Sequence, residues 1–185
     1  NVSSTAKQSI ENKLQAANIS GDSIYVMCPG AEYGPTKRWP TEHFATLAQK
    51  LIAENPNIQI VLLGSKSDHA LGQEITSQVK INGNLHNWCG NTFLDEAIAL
   101  IGMSKAVVSN DSGLMHIAAA LNTPQVAIFG SSDPAHTPPL SDKAQVIWLN
   151  MPCSPCHKRE CPLGHLRCLK DILPEQVLAT LNTLK

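Results

Sequence analysis

Val107-Val108-Ser109-Asn110-Asp111-Ser112-Gly113-Leu114-Met115-His116 changes its period in the middle. Residues 106–109 are a short apolar run, the mark of a strand buried on both faces of a parallel sheet. The run stops at Asn110-Asp111-Ser112-Gly113, a polar group with good helix N-cap chemistry. Beyond it Leu114, Ile117, Ala118 and Leu121 follow the i, i+3, i+4, i+7 spacing of one helical face. His116 falls two residues off that face, on the side of Ser112. A strand therefore hands its C-terminal end to a helix whose free N–H groups and positive dipole end point outward. Such a junction suits a phosphate or diphosphate, at the sheet edge where open α/β folds bind ligands. Asp111 and Ser112 also serve as plain caps in many turns without a ligand, and His116 is equally readable as a solvated residue.

Working outward, the same unit recurs. Residues 23–28 read as a first strand, ending in the breaker Pro29-Gly30-Ala31. Thr41 is placed to cap a helix with Phe44, Leu47, Ala48, Leu51 and Ile52 on one face, stopped by Asn55-Pro56-Asn57. Strands are expected at 58–63, 85–89, 125–129 and 145–149. Helices are expected with Leu71, Ile75 and Val79, and with Leu94, Ile98 and Ile101 after a capping-box variant at Thr92-Phe93-Leu94-Asp95. Pro174 fits the first position of a last helix carrying Val177, Leu178, Leu181 and Leu184 inward. Strands alternating with helices predict an α/β fold with a doubly wound parallel sheet. Residues 1–21, weakly helical through Ala6, Ile10, Leu14 and Ala17, read as a linker or lead-in helix to a domain spanning 22–185.

Composition removes several function classes. The chain has 185 residues, enough for one domain with a real core. Lys and Arg number 14 against 15 Asp and Glu, with no block of like charge, so there is no electrostatic footprint for nucleic acid. No apolar run approaches the roughly 20 residues of a membrane helix. The start at Asn1, without Met or a signal-peptide pattern, suggests a piece of a longer protein or a processed start.

Three strand ends carry unusual loops, and in a right-handed parallel sheet all fall on one edge. The first, residues 29–40, supplies Gly30 and the cations Lys37 and Arg38. The second supplies helix N–H groups, Ser112 and His116. The third supplies Gly130 and two serines. A cation, a helix mouth and a small-residue loop on one edge suit a diphosphate; Lys37 on its own would be an ordinary surface charge. No G-x-G-x-x-G follows a strand, Gly64-Ser65-Lys66-Ser67 lacks the upstream glycine of a P-loop, and G-x-S-x-G is missing. Classical dehydrogenases, P-loop NTPases and serine hydrolases are thereby disfavoured.

The second signal is a Cys-rich insertion at 150–170: Cys153-x2-Cys156-x4-Cys161-x6-Cys168, with His157 and His165 interleaved. Four thiols so close allow a structural zinc or an iron–sulfur cluster, though the spacing matches no standard set. Reduced packing thiols are the alternative, and disulfides rank lower without a secretory signal. Cys153-x-x-Cys156-His157 also matches c-type haem attachment, which the missing export signal disfavours. Cys28 and Cys89, in expected strands, should be buried.

Pro29-Gly30-Ala31-Glu32-Tyr33-Gly34-Pro35-Thr36-Lys37-Arg38-Trp39-Pro40, the segment 110–120 and Cys161-Pro162-Leu163-Gly164-His165-Leu166-Arg167-Cys168-Leu169 resemble the C-terminal half of glycosyltransferase family 9, the heptosyltransferases. K-R-W-P and D-S-G-x-x-H mark the family; the Gly-Pro-Thr-Lys loop and the Cys tail resemble its type II members. The resemblance covers nearly all of residues 22–184. It implies the donor half of a GT-B fold, two Rossmann-like domains facing a cleft. It implies transfer of L-glycero-D-manno-heptose from ADP-heptose to the first heptose of the lipopolysaccharide inner core, with inversion. It implies a bacterial, cytoplasmic enzyme at the inner face of the inner membrane, with at most peripheral membrane contact.

By that resemblance Lys37 contacts the diphosphate, with Lys37 and His116 stabilising the transition state. Asp111, Ser112, Gly113 and His116 line the diphosphate and heptose, Asp68 reaches the ribose, and Gly30 and Gly130 complete the donor set. No metal is required for transfer. The acceptor site and the catalytic base belong to an N-terminal domain without counterpart here, so this chain is expected to bind donor without turnover. Two rival readings remain: a GT-B-shaped sugar-nucleotide epimerase or hydrolase using Asp111 or His116, and a non-catalytic metal-binding module built on 150–170.

Overall fold

The 106–110 run is a strand buried at all five positions. It is one of six among the described residues, β1 (Ile24–Cys28), β2 (Gln59–Leu62), β3 (Leu85–Asn87), β4 (Ala106–Asn110), β5 (Gln125–Phe129) and β6 (Ala144–Trp148). In this computed structural model, which describes residues 2–20, 23–80 and 83–184, they form one sheet in the order β3-β2-β1-β4-β5-β6. Every pairing is parallel, as the alternation of strands and helices requires.

The helices are α1 (Ser4–Ala16), α2 (Thr41–Glu54), α3 (His69–Gln78), α4 (Leu94–Met103), α5 (Gly113–Ala120), α6 (Arg167–Lys170) and α7 (Pro174–Thr183). Successive strand side chains point to opposite faces, so the core divides in two. Met27, Ile60, Leu62, Val108 and Ile128 pack beneath α2, α3 and α7. Ile24, Val26, Val61 and Val107 pack beneath α1, α4 and α5. The expected lead-in helix belongs to this second layer: α1 buries Ala6, Ile10 and Leu14. It is pinned to α4 by Lys13 Nζ, 2.6 Å from Glu96 Oε2.

Several local expectations are corrected. Thr41 is not the cap of α2. Pro40 is, its carbonyl accepting the N–H groups of His43 and Phe44, while the Thr41 hydroxyl donates to Glu74 on α3 (2.7 Å). The capping partner of α4 is Glu96 rather than Asp95, with Phe93 as N-cap donating its N–H to Glu96 (2.8 Å). The buried face of α4 is Ala97, Leu100 and Ile101, and Leu94 is 65 % exposed. In α5 the core face is Met115, Ala118 and Ala119. Small residues let α5 lie close to the sheet, and Met115 fills the gap against Ala127 and Phe129. Leu114 and Ile117 are thereby turned partly outward, onto a cavity wall. Strand β3 ends at Asn87, two residues early; Cys89 is nevertheless buried, as is Cys28.

Candidate functional site

The strand order fixes where a crevice opens. From β1 the chain crosses to the face of α2, and from β4, its neighbour in the sheet, to the face of α5. The loops leaving these two carboxyl ends diverge, and the space between them is the switch point at which such sheets take ligands. A cavity of about 500 Å³ lies there, lined by Gly30, Asp68, Phe93, Leu94, Ser112 and Gly113 among others. That volume is in the range of small-molecule sites.

The end of β4 is a buried polar knot. Asn110, fully buried, accepts the Trp39 N–H (3.0 Å) and donates to the Pro29 carbonyl (2.8 Å), so it ties both ends of the 29–40 loop to the strand. Trp39, 1 % exposed, donates its indole N–H to the Ile172 carbonyl (2.8 Å). Asp111 follows, its side chain 4 % exposed. One carboxylate oxygen receives Lys37 Nζ at 2.6 Å and the Ser132 hydroxyl at 2.5 Å. Burying a carboxylate demands such partners, and a cation with a hydroxyl meets the demand. Lys37 keeps two further N–H donors, and its ammonium stands 5.0 Å from the Tyr33 ring centroid.

Ser112 is the N-cap of α5, but its side chain makes no capping bond. The first-turn N–H groups of α5 therefore lack a side-chain acceptor. A Cβ added at Gly113 would meet nothing within 4 Å, so the helix mouth is open. Across the cavity, Asp68 caps the turn 66–68, its Oδ2 accepting from Ser65 N (2.8 Å) and Ser65 Oγ (2.7 Å). This carboxylate explains Gly30: a Cβ there would fall 2.4 Å from it.

Gly30, Asp68, Ser112 and Gly113 thus share one cavity; Lys37 and Asp111 are outside its lining, paired with each other, and Asp111 precedes the lining residue Ser112 in the chain. His116 is exposed on α5, outside the cavity lining. Gly130 is enclosed: a Cβ there would meet Leu169 at 2.6 Å and the Thr36 carbonyl at 2.7 Å, so packing requires a glycine at this position. Sequence reasoning placed Ser132 in the third loop but missed Asn110, Tyr33 and Thr36 as parts of the assembly. Asn110 carried a signal, a polar side chain at the last position of an otherwise apolar strand.

All six cysteines are free thiols. Burial raises Cys28 and pushes Cys89 up to about 12. Cys168 is raised to about 11, by burial first and then by Cys156, Cys153 and Cys161 nearby. Cys161 is lowered, chiefly because the Leu166 N–H faces its sulfur. Among the described residues no three His, Cys, Asp or Glu side chains gather into a metal-binding group. None of the helices there is long and apolar enough to cross a membrane.

The sequence profile of glycosyltransferase family 9 (heptosyltransferase) matches residues 2–167. Lipopolysaccharide heptosyltransferase 2 of Escherichia coli K12 is 50 % identical over 161 residues, 85 % of this chain and 45 % of that protein. The structure of E. coli ADP-heptose lps heptosyltransferase II superposes with a TM-score of 0.85 at 45 % identity, over 100 % of this chain and 52 % of that one. An E. coli heptosyltransferase solved with ADP-2-deoxy-2-fluoro heptose has the same fold at 20 % identity, TM-score 0.65, over 97 % of this chain and 48 % of that one. The chain spans about half the length of the relatives it matches. Matched by the family's profile over residues 2–167, and carrying K-R-W-P in its first loop and D-S-G-x-x-H at the start of its fifth helix, this chain belongs to glycosyltransferase family 9, the heptosyltransferases.

Proposed function

We propose that this chain is the donor-binding half of an inverting heptosyltransferase. In the whole enzyme, L-glycero-D-manno-heptose moves from ADP-heptose to heptose I of the lipopolysaccharide inner core, at the cytoplasmic face of the bacterial inner membrane. The relatives' names support the sugar and the acceptor, and a fold neighbour holding an ADP-heptose analogue supports the nucleotide. One observation carries the donor site. Lys37 is bound to Asp111, the residue before the N-cap of α5, and the uncapped mouth of that helix lines a cavity of about 500 Å³.

In this reading the acceptor hydroxyl loses its proton to a base supplied by the other half of the enzyme. The oxygen then bonds to the anomeric carbon, and the bond from that carbon to the β-phosphate oxygen breaks, its electron pair leaving with ADP. Charge grows on the β-phosphate as the bond opens. The Lys37 ammonium and the N–H groups at Gly113 and Leu114 stabilise it where it develops. His116, one turn along α5 and outside the cavity lining, is assigned to the heptose and the leaving diphosphate by the family resemblance alone. Asp68 lines the far end of the cavity, where a ribose hydroxyl would find an acceptor. No step needs a metal, and the chain alone binds donor without turning it over.

Calorimetry with ADP, UDP and GDP tests the proposal. ADP is expected to bind best. Lys37→Ala is expected to weaken it about tenfold or more, the loss of one charge-assisted hydrogen bond. Absence of ADP binding by the wild-type chain, or an unchanged affinity in Lys37→Ala, overturns the donor-site assignment. Release of free heptose from ADP-heptose by this chain would favour a hydrolase instead.

A further inference from the structure

The Cys-rich segment runs along the Lys37 loop and is laced to it. Thr36, 1 % exposed, donates its hydroxyl to the Lys158 carbonyl at 2.5 Å. The Tyr33 hydroxyl donates to the His157 carbonyl (2.8 Å), and Arg159 Nε donates back to the Tyr33 carbonyl (2.8 Å). The loop after β5 lies between: the Ser131 N–H donates to the Thr36 carbonyl (3.2 Å), and the His157 N–H to the Ser131 carbonyl (2.8 Å). Gly34, at φ +143°, backs so closely onto this segment that a Cβ would stand 2.9 Å from the Arg159 carbonyl oxygen. The Tyr33 ring has two cations over it, Lys37 at 5.0 Å and Arg159 at 5.7 Å.

Lys37 needs this support. It ends a three-residue 3-10 turn, Pro35–Lys37, with no side-chain cap. Such short turns have poor hydrogen-bond geometry of their own. The ammonium sits on a flexible four-carbon stem, and Asp111 fixes only its tip. The backbone beneath is fixed one residue earlier, through Thr36, by a segment about 120 positions away in sequence. The Tyr33 ring faces the ammonium at 5.0 Å and attracts it.

We infer that Thr36, with the carbonyls of residues 157–159, is a positioning clasp for Lys37. The clasp holds the ammonium where it meets Asp111 and, in the donor-site reading above, a phosphoryl oxygen. Thr36 is a positioning residue that touches no ligand, and residues 158 and 159 act on the site through it. The geometry stands without the donor assignment; the effect on nucleotide affinity rests on it.

Two arms test the clasp separately. Trace acetylation read by mass spectrometry reports the reactivity of each lysine without a ligand. In Thr36→Val, Lys37 alone is expected to label several-fold faster, while Lys13 and Lys50 stay at wild-type rates and Thr36→Ser restores Lys37. A Lys37 rate unchanged in Thr36→Val overturns the clasp, as does an equal rise at every lysine. Should Thr36→Val fail to fold, Tyr33→Phe, at an exposed residue, removes the second bond and is expected to move Lys37 the same way by a smaller factor; no movement counts against the clasp. The second arm measures ADP affinity. Thr36→Val is expected to lose about tenfold, and to lose nothing further when added to Lys37→Ala. An additive loss there overturns the idea that Thr36 acts through Lys37. If the wild-type chain does not bind ADP, the donor reading falls, and the labelling arm still decides the clasp.

Discussion

Removing Lys37 should cost this domain more stability than neutralising its partner, and the burial of the two side chains shows why. They meet at 2.6 Å, with Lys37 18 % exposed and Asp111 4 %. In Lys37→Ala the Asp111 carboxylate stays out of water with only the Ser132 hydroxyl as partner. Leaving one member of a buried pair alone costs about 3–5 kcal/mol. The Ser132 bond and local rearrangement offset part of this, so about 2–3 kcal/mol is expected. In a domain of this size that is roughly 5–10 °C in melting temperature. Asp111→Asn is different. The amide still fits beside Ser132, and the lysine, already part-exposed on a long stem, swings to water, so about 1 kcal/mol is expected. Adding Asp111→Asn to Lys37→Ala removes the stranded charge and should restore about 1–2 kcal/mol. Urea unfolding of the four proteins, treated as a double-mutant cycle, measures all three numbers. Should Lys37→Ala cost less than about 0.5 kcal/mol, or should the double variant be no more stable than Lys37→Ala, the pair is not a desolvated one and this account is refuted.

Two further outcomes follow from groups away from the cavity. Burial pushes the Glu96 carboxyl up, but the hydrogen bonds from Lys13, Ser9 and the Phe93 N–H together outweigh it and hold the group below its ordinary value. Its folded value then lies below its unfolded one, so its contribution is complete above the usual carboxylate range and fades as pH falls through the folded value. Urea midpoints should drop more steeply below about pH 4.5 in the wild type than in Glu96→Gln; parallel curves would contradict this. Among the thiols, Cys161 should be alkylated first at neutral pH and Cys28, Cys89 and Cys168 last, because burial holds the last three as thiols. Peptide mapping after timed maleimide exposure reads the order, and early labelling of Cys168 would count against it.

The sheet was legible because its signal is local. Buried parallel strands write themselves as apolar runs, and those at 106–110 and 125–129 need no tertiary context to be seen. Helix faces were less legible where the helix borders the cavity. Leu94, Leu114 and Ile117 are apolar at core spacing, yet they line the crevice, since a ligand site and a core ask for the same residues. The Lys37 loop was legible as a cation beside glycines. Its support was not, because Thr36 and Tyr33 find their partners across more than 120 positions, at backbone carbonyls of the Cys-rich segment. A carbonyl has no residue identity, so no motif announces it. Gly130 shows a demand the sequence does not display: Leu169 and the Thr36 carbonyl leave no room for a Cβ there.

The arrangement separates two kinds of positive charge. Lys37 is already paired, so an arriving phosphate must share its ammonium with Asp111. The N–H groups at the mouth of α5 have no such rival, because Ser112 caps nothing and Gly113 leaves the approach open. Under the donor reading the helix mouth therefore supplies attraction from the outset, while Lys37 supplies more as charge builds on the leaving phosphate and outcompetes the carboxylate. Interactions that grow toward the transition state are those that raise turnover. In the full-length enzyme, Lys37→Ala should then depress kcat more than it raises the KM for donor, whereas crowding the helix mouth by Gly113→Val should act mainly on KM. Steady-state kinetics on both variants distinguish the two, and a purely KM effect of Lys37→Ala would show that Asp111 does not hold the lysine back in the ground state.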